Sequence, residues 1–252
     1  MKRLLTIIIA VLISSLCLNA QVQEQDKQLR ILVWADLDAF PGSFEEAEKQ
    51  KGKETDGPAD TEESSINSTS DKNDFQKMFG FAIERSKLIA PFLLNGMISG
   101  WQFEYTPYDK RRGVEEYWDF KEIKPFDKKL NTIEFHEPEA QDGKLLSRVY
   151  CNRTEQQQLE YRRWCSIVHP HIKGIGLGSI ENGFDGIKDA CSMALKEAVR
   201  QYWRTLEKNK PKEISGTVLL IRDPRIYVKN GQYIVDLDFF LETDRIIKYT
   251  QF

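Results

Sequence analysis

Between Asp185 and Leu206 the apolar residues fall at Ile187, Ala190, Cys191, Ala194, Leu195, Ala198, Val199 and Tyr202. That is the three-and-four spacing of one helix face. Ala190, Ala194 and Ala198 are small, so this helix can approach a sheet closely, with Lys196 on its opposite face. A second stripe, Phe75, Met78, Phe79, Ala82, Ile83 and Ser86, predicts a helix from Asp74 to about Leu94. Asn73 or Asp74 caps its start, Pro91 limits or kinks its end, and Asn95-Gly96 stops it.

Strands are predicted at Ile31–Leu37, Ile98–Thr106, Val114–Ile123, Thr132–Phe135, Leu145–Tyr150, Ile172–Ser179, Ile214–Arg222, Arg225–Lys229 and Gln232–Glu242. Asp142-Gly143 and Asn230-Gly231 are the dipeptides of two-residue hairpins. Thr154 followed by Gln157 has the form of a capping box opening a short polar helix.

The order strand, helix, strand, strand occurs twice, with Ile98-Ser99-Gly100 after the first helix and Ile214-Ser215-Gly216 after the second. The expected fold is α+β: two such units with mostly antiparallel sheets, each with a helix packed on one face. The units are residues 21–123 and 171–252, joined by a connecting segment, 124–170. Ser43 to Lys72 holds almost nothing to bury and reads as a disordered insertion within the first unit. Residues 1–20 read as a secretory signal peptide: Lys2 and Arg3, an apolar run from Leu4 to Leu16, then Ala20 before the expected cut. That run is short for a membrane span, and no second one follows. Leu16 stands where a lipoprotein would have a small residue before Cys17, so cleavage after Ala20 is preferred to lipidation.

Gly174-x-Gly176 before the alanine-striped helix, with a later hairpin through Asn230-Gly231-Gln232-Tyr233-Ile234-Val235, resembles the module of LPP20-type secreted lipoproteins and of flagellar assembly proteins of the outer-membrane ring. The likeness covers about Ile172 to Glu242. It implies an assembly role without catalytic residues.

Composition narrows the partners. The chain is 30% charged with a formal net charge of −3, and loss of Lys2 and Arg3 would make it two units more negative. Such a surface argues against nucleic acid, which needs clustered cations, and gives no drive toward anionic lipid. Without Cys17, three cysteines remain: Cys151, Cys165 and Cys191. Cys191 lies on the apolar helix face, which leaves a disulfide between Cys151 and Cys165 open in an oxidising compartment. A continuous helix between those two would hold them about 20 Å apart, so the bridge requires a short helix and a chain that doubles back.

The candidate chemistry is sparse. Gly174-Ile175-Gly176-Leu177-Gly178-Ser179 lacks the Lys-Ser or Lys-Thr of a phosphate loop, and its glycines suit close helix packing better. His169-Pro170-His171, with His136 remote in sequence, is a loop rather than a metal site. Asp36 with Asp38, and Asp236 with Asp238, would each share a strand face, as a solvated sheet face does. No catalytic residue, metal site or cofactor is assigned. Trp101, Tyr105, Tyr108, Tyr117 and Trp118 crowd one hairpin and are the candidate binding residues.

The expected function is therefore that of a non-enzymatic secreted or periplasmic envelope protein, an interaction and assembly module for another protein. The alternatives are a secreted hydrolase using carboxylates or His169, which a pocket gathering Asp36, Asp38 or Asp236 with His169 would support, and a carbohydrate-binding protein using the aromatics from Trp101 to Phe120.

Overall fold

Two turns set the local strand pairing. Asp142 (φ 50°) with Gly143 (φ 74°), and Asn230 (φ 54°) with Gly231 (φ 71°), hold the paired positive φ of two-residue hairpins. The first joins β4 (Ile133–Gln141) to β5 (Lys144–Asn152), and the second joins β8 (Arg225–Lys229) to β9 (Gln232–Ile247). The computed structural model describes residues 27–42, 70–207 and 211–249. The expected signal peptide, and the expected insertion up to residue 69, lie outside the described residues.

The architecture is α+β, with antiparallel sheets. β1 (Gln28–Asp36) pairs with β5, and β5 with β4, in a three-stranded sheet. The larger sheet has the order β3–β2–β7–β9–β6, with β8 also paired to β9. Its other members are β2 (Trp101–Thr106), β3 (Tyr117–Glu122), β6 (His171–Ser179) and β7 (Glu213–Leu220). Among the described elements the order strand, α-helix, strand, strand occurs twice. The pairing cuts across it, because β1 finds its partner in the segment 124–170 while β2 and β3 join β7 of the C-terminal part.

Among the described residues three α-helices cover these sheets. α1 (Ser70–Ile98) packs on β1 and β5 and touches β7. α2 (Glu155–Trp164) opens with the capping box of Thr154 and Gln157. α3 (Gly183–Leu206) lies on β6 and β9. One continuous core runs from Ile31 and Val33 of β1 through Leu93 of α1 and Trp101 of β2 to Ala194 of α3 and Leu237 of β9. Among the described residues no helix is long and apolar enough to cross a membrane.

α1 runs past both of its expected stops. Pro91 lies inside it, and the helix continues to Ile98. Asn95 is buried and gives its side-chain amide to the Glu122 carboxylate and the Lys124 carbonyl, so it does not compete with its own backbone. The end comes at Gly100, whose φ of 77° lets its N–H and that of Ser99 both donate to the Asn95 carbonyl. The buried Arg153 guanidinium adds a bond to the Met97 carbonyl at 2.9 Å, a cation at the negative end of the helix.

β9 divides the large sheet into two faces. Val235, Leu237, Phe239 and Leu241 point into the core beneath the helices. On the other face Phe240 packs with Leu219 and with Trp164 of α2 in a separate small cluster. Among the described residues no helix covers the rest of that second face. Ile175 (53% exposed), Leu177 (48%) and Tyr227 (47%) stand open there, with Leu177 and Tyr227 flanking Ile234 in register.

Candidate functional site

The aromatic hairpin is mostly core, which corrects its reading as a binding surface. Trp101 is fully buried, stacked at 5.1 Å on Phe92 of α1. Phe103 and Tyr105 alternate with it on the inward face of β2 and are buried too. Trp118 of β3 is half-buried: its ring lies 5.7 Å from Phe103, and its indole N–H donates to Ser192 of α3 at 2.8 Å. Only Tyr108 and Tyr117 of the five candidates are exposed. Period-two alternation places every second aromatic inward, and the crossing of α3 over this hairpin accounts for Trp118.

Tyr105 has a polar role at its tip. Its hydroxyl donates to Glu116 at 3.1 Å, and Lys196 of α3 reaches the other oxygen of that carboxylate at 3.1 Å. Burial first, then the Glu116 charge, pushes the Tyr105 hydroxyl up to about 12. Lys196, expected on the solvent face, is thus 19% exposed and committed. Tyr105 and Tyr108 line a common cleft with Arg200, Trp203 and Arg204 of α3. The helix residues are the ones that sequence reasoning missed. Their signal was Trp203, an aromatic just off the apolar stripe, between two arginines four residues apart.

The carboxylates and His169 do not gather. Asp36 lies by Lys144 and Arg85, its pKa raised by burial against the pull of those cations. Asp38 falls beyond the end of β1 and is exposed. Asp236 pairs with Lys173 at 3.1 Å and Asp238 with Arg222. His169 is buried at the other end of β9, its Nε2 3.8 Å from Glu242. Tyr233, which senses the Asp36 charge, is nine residues from Glu242 on that strand, about 30 Å at the usual rise. His169 Nδ1 does meet the Ser166 hydroxyl at 3.1 Å. The two are the ends of one turn closed by the His169 N–H on the Ser166 carbonyl, and Glu242 is already held by Arg163 at 3.0 Å. Among the described residues no group of three or more His, Cys, Asp or Glu is placed to hold a metal ion.

The disulfide left open between Cys151 and Cys165 is not formed, and both are free thiols. Cys151 points into the core from β5, where burial pushes its thiol up to about 11. Cys165 follows a continuous ten-residue helix that carries it about 15 Å along the axis, and it ends exposed. The chain does not double back as the bridge requires. Cys191 is buried on α3, as its place on the apolar stripe predicts.

The edges of the two sheets differ in how they are protected. β4 carries Pro138 and a register shift between His136 and Glu139. β3 is six residues long and ends in charge. β1 gives its Leu32 N–H to Asp223 at 3.0 Å and is tied to β8 by the Trp34 indole on the Ile226 carbonyl at 2.9 Å. These are the usual ways of blunting an edge. β6 is nine residues long with one lysine and no proline, pairs in unbroken register with β9, and has no second strand partner among the described residues.

The chain is similar to an uncharacterized protein of Treponema pallidum (strain Nichols), 25% identical over 162 residues, which are 64% of this chain and 68% of that protein. No solved structure matches. One protein-family model matches residues 15–249, and the chain belongs to that family.

Proposed function

We propose that this is a non-enzymatic secreted or periplasmic envelope protein that acts as an assembly module, adding an extended segment of a partner protein to the outer edge of β6. The open edge of β6 carries this reading. Its backbone N–H and C=O groups on that side have no strand partner among the described residues, and Ile175 and Leu177 stand beside them half-exposed. A partner strand would satisfy the backbone groups and lay alternate apolar side chains along Ile175, Leu177 and Ile234. The likeness of residues 172–242 to LPP20-type and flagellar assembly modules agrees with an assembly role. The basic-then-apolar start of the chain supports the location.

A photocrosslinking residue in place of Leu177 tests the reading in the cell that makes the protein. Adducts with another envelope protein are expected at position 177, absent from a control at Tyr117, and lost when Ile175 is also changed to Asp. Equal adducts at both positions, or none at 177, would overturn the strand-addition reading. Recovery of the protein in the cytosolic fraction would overturn the location.

A further inference from the structure

A cleft of about 700 Å³ opens between the turn that follows β2 and the last turns of α3. Tyr105 and Ile214 are buried at its base, Tyr108 comes from the hairpin side, and Arg200, Trp203 and Arg204 come from the helix. Its size is that of an ordinary small-ligand site.

The two carboxylates and two arginines that line this cleft are equal in number but are not paired with one another. Its two carboxylates are each held by a lysine that does not line it: Glu116 by Lys196 at 3.1 Å, and Glu207 by Lys248 at 2.6 Å. Its two arginines are not matched in this way. Arg200 has only a 3.6 Å pair with Glu197, and Arg204 is exposed with no hydrogen bond or ion pair among the described residues. Four residues apart on one helix, they project from the same face. A chain that is acidic overall therefore presents two neighbouring arginines here, Arg200 loosely paired with Glu197 and Arg204 without a partner among the described residues, suited to a carboxylate.

The other surfaces of the cleft suit a ring with hydroxyl groups. Tyr108 exposes about half its surface. The Glu116 carboxylate, fixed from two sides and 35% exposed, retains lone pairs for hydroxyl donors. A pyranose offers an apolar C–H face to an aromatic ring and hydroxyls at its edge.

We propose that this cleft binds an acidic saccharide, with its carboxylate on Arg200 and Arg204, a sugar face on Tyr108 and its hydroxyls on Glu116. The site is separate from the β6 edge, and it stands or falls independently of the assembly reading.

The test is a calorimetric titration of the full chain, without its first twenty residues, with a hexuronic-acid disaccharide and with a neutral hexose disaccharide. The acidic sugar is expected to bind at least tenfold more tightly. Arg204→Gln should remove that preference without moving the melting temperature, because Arg204 has no bond to lose among the described residues. Tyr108→Ala should weaken both sugars, and Arg225→Gln, outside the cleft, should change neither. Equal binding of the two sugars, or an acid preference that survives Arg204→Gln, would overturn the proposal. So would the absence of saturation at roughly 10 mM acidic sugar, where even a millimolar affinity shows. Saturable binding of adenosine monophosphate with none of either sugar would assign the cleft to phosphate and base instead, and would also overturn it.

Discussion

The carbonyl oxygen of Ala190 occupies the space that a side chain on Gly176 would need: a Cβ built there would stand 1.9 Å from it. Gly174 meets the Ala194 carbonyl, and Gly178 the Gly186 carbonyl, at the same distance. The glycines of β6 and the small residues of α3 are one contact seen from its two sides. It brings backbone to backbone, which no rotamer change can relieve.

Gly176→Ala should therefore destabilise the protein by about 3 kcal/mol or more, since the helix must move off the strand. Gly80→Ala, in α1 with nothing within 4 Å of a new Cβ, should be neutral or stabilising by up to about 1 kcal/mol. Urea midpoints of the two variants give the check. Similar midpoints would mean that α3 does not sit on β6 as described.

That contact was legible in the chain because both its halves are periodic, glycine every second residue and alanine every fourth. The two hairpin dipeptides and the capping box were legible for a similar reason, since each is a local rule. The strand partners were not. β1 and β5 lie more than a hundred residues apart, and nothing local marks their pairing. The triplets ending in Gly100 and Gly216 look alike but serve different ends. Gly100 closes a helix with positive φ, while Gly216 sits in β7 under the ring of Phe103. The cleft was half legible. Tyr105 and Tyr108 stand out as aromatics in the sequence, but nothing local sets Arg200 and Arg204 across from that hairpin.

Asp223 joins the large sheet to β1 and should make stability depend on pH. Burial pushes its pKa up to about 6 from 3.8, against the opposing bond from the Leu32 N–H. The folded state thus holds a proton that the unfolded state releases between those values. Stability falls as pH rises from about 4 to 6, and acidification regains it. Because Asp223 is only partly buried, the effect is expected to be about 1–2 kcal/mol. Asp36 is shifted in the same direction, so the test is a difference between proteins. The wild type should gain melting temperature from pH 7 to pH 5 relative to Asp223→Asn. Parallel profiles for the two would remove Asp223 from the account.

The aromatic hairpin should divide sharply between core and surface. Trp101→Ala removes a fully buried ring that stacks on Phe92 and should cost about 3–5 kcal/mol. Tyr117→Ala, with about half its surface in water, should change stability by no more than about 0.5 kcal/mol. Denaturant unfolding of both variants would show the split. A small loss for Trp101→Ala would return that residue to the list of binding candidates.

The cysteines offer the most direct check on the fold around α2. Cys165 is exposed after the helix, while Cys151 and Cys191 are buried and burial raises the pKa of both. The thiolate is the reactive form, so burial and a raised pKa protect a thiol twice over. In the native protein without its first twenty residues, one thiol should react quickly with an aromatic disulfide reagent. Unfolding should release two more. Cys165→Ser should abolish the fast phase and leave the slow pair unchanged. If no thiol reacts quickly and only one appears on unfolding without reductant, Cys151 and Cys165 are bridged. α2 could then not run unbroken from Glu155 to Trp164 with Cys165 at its far end.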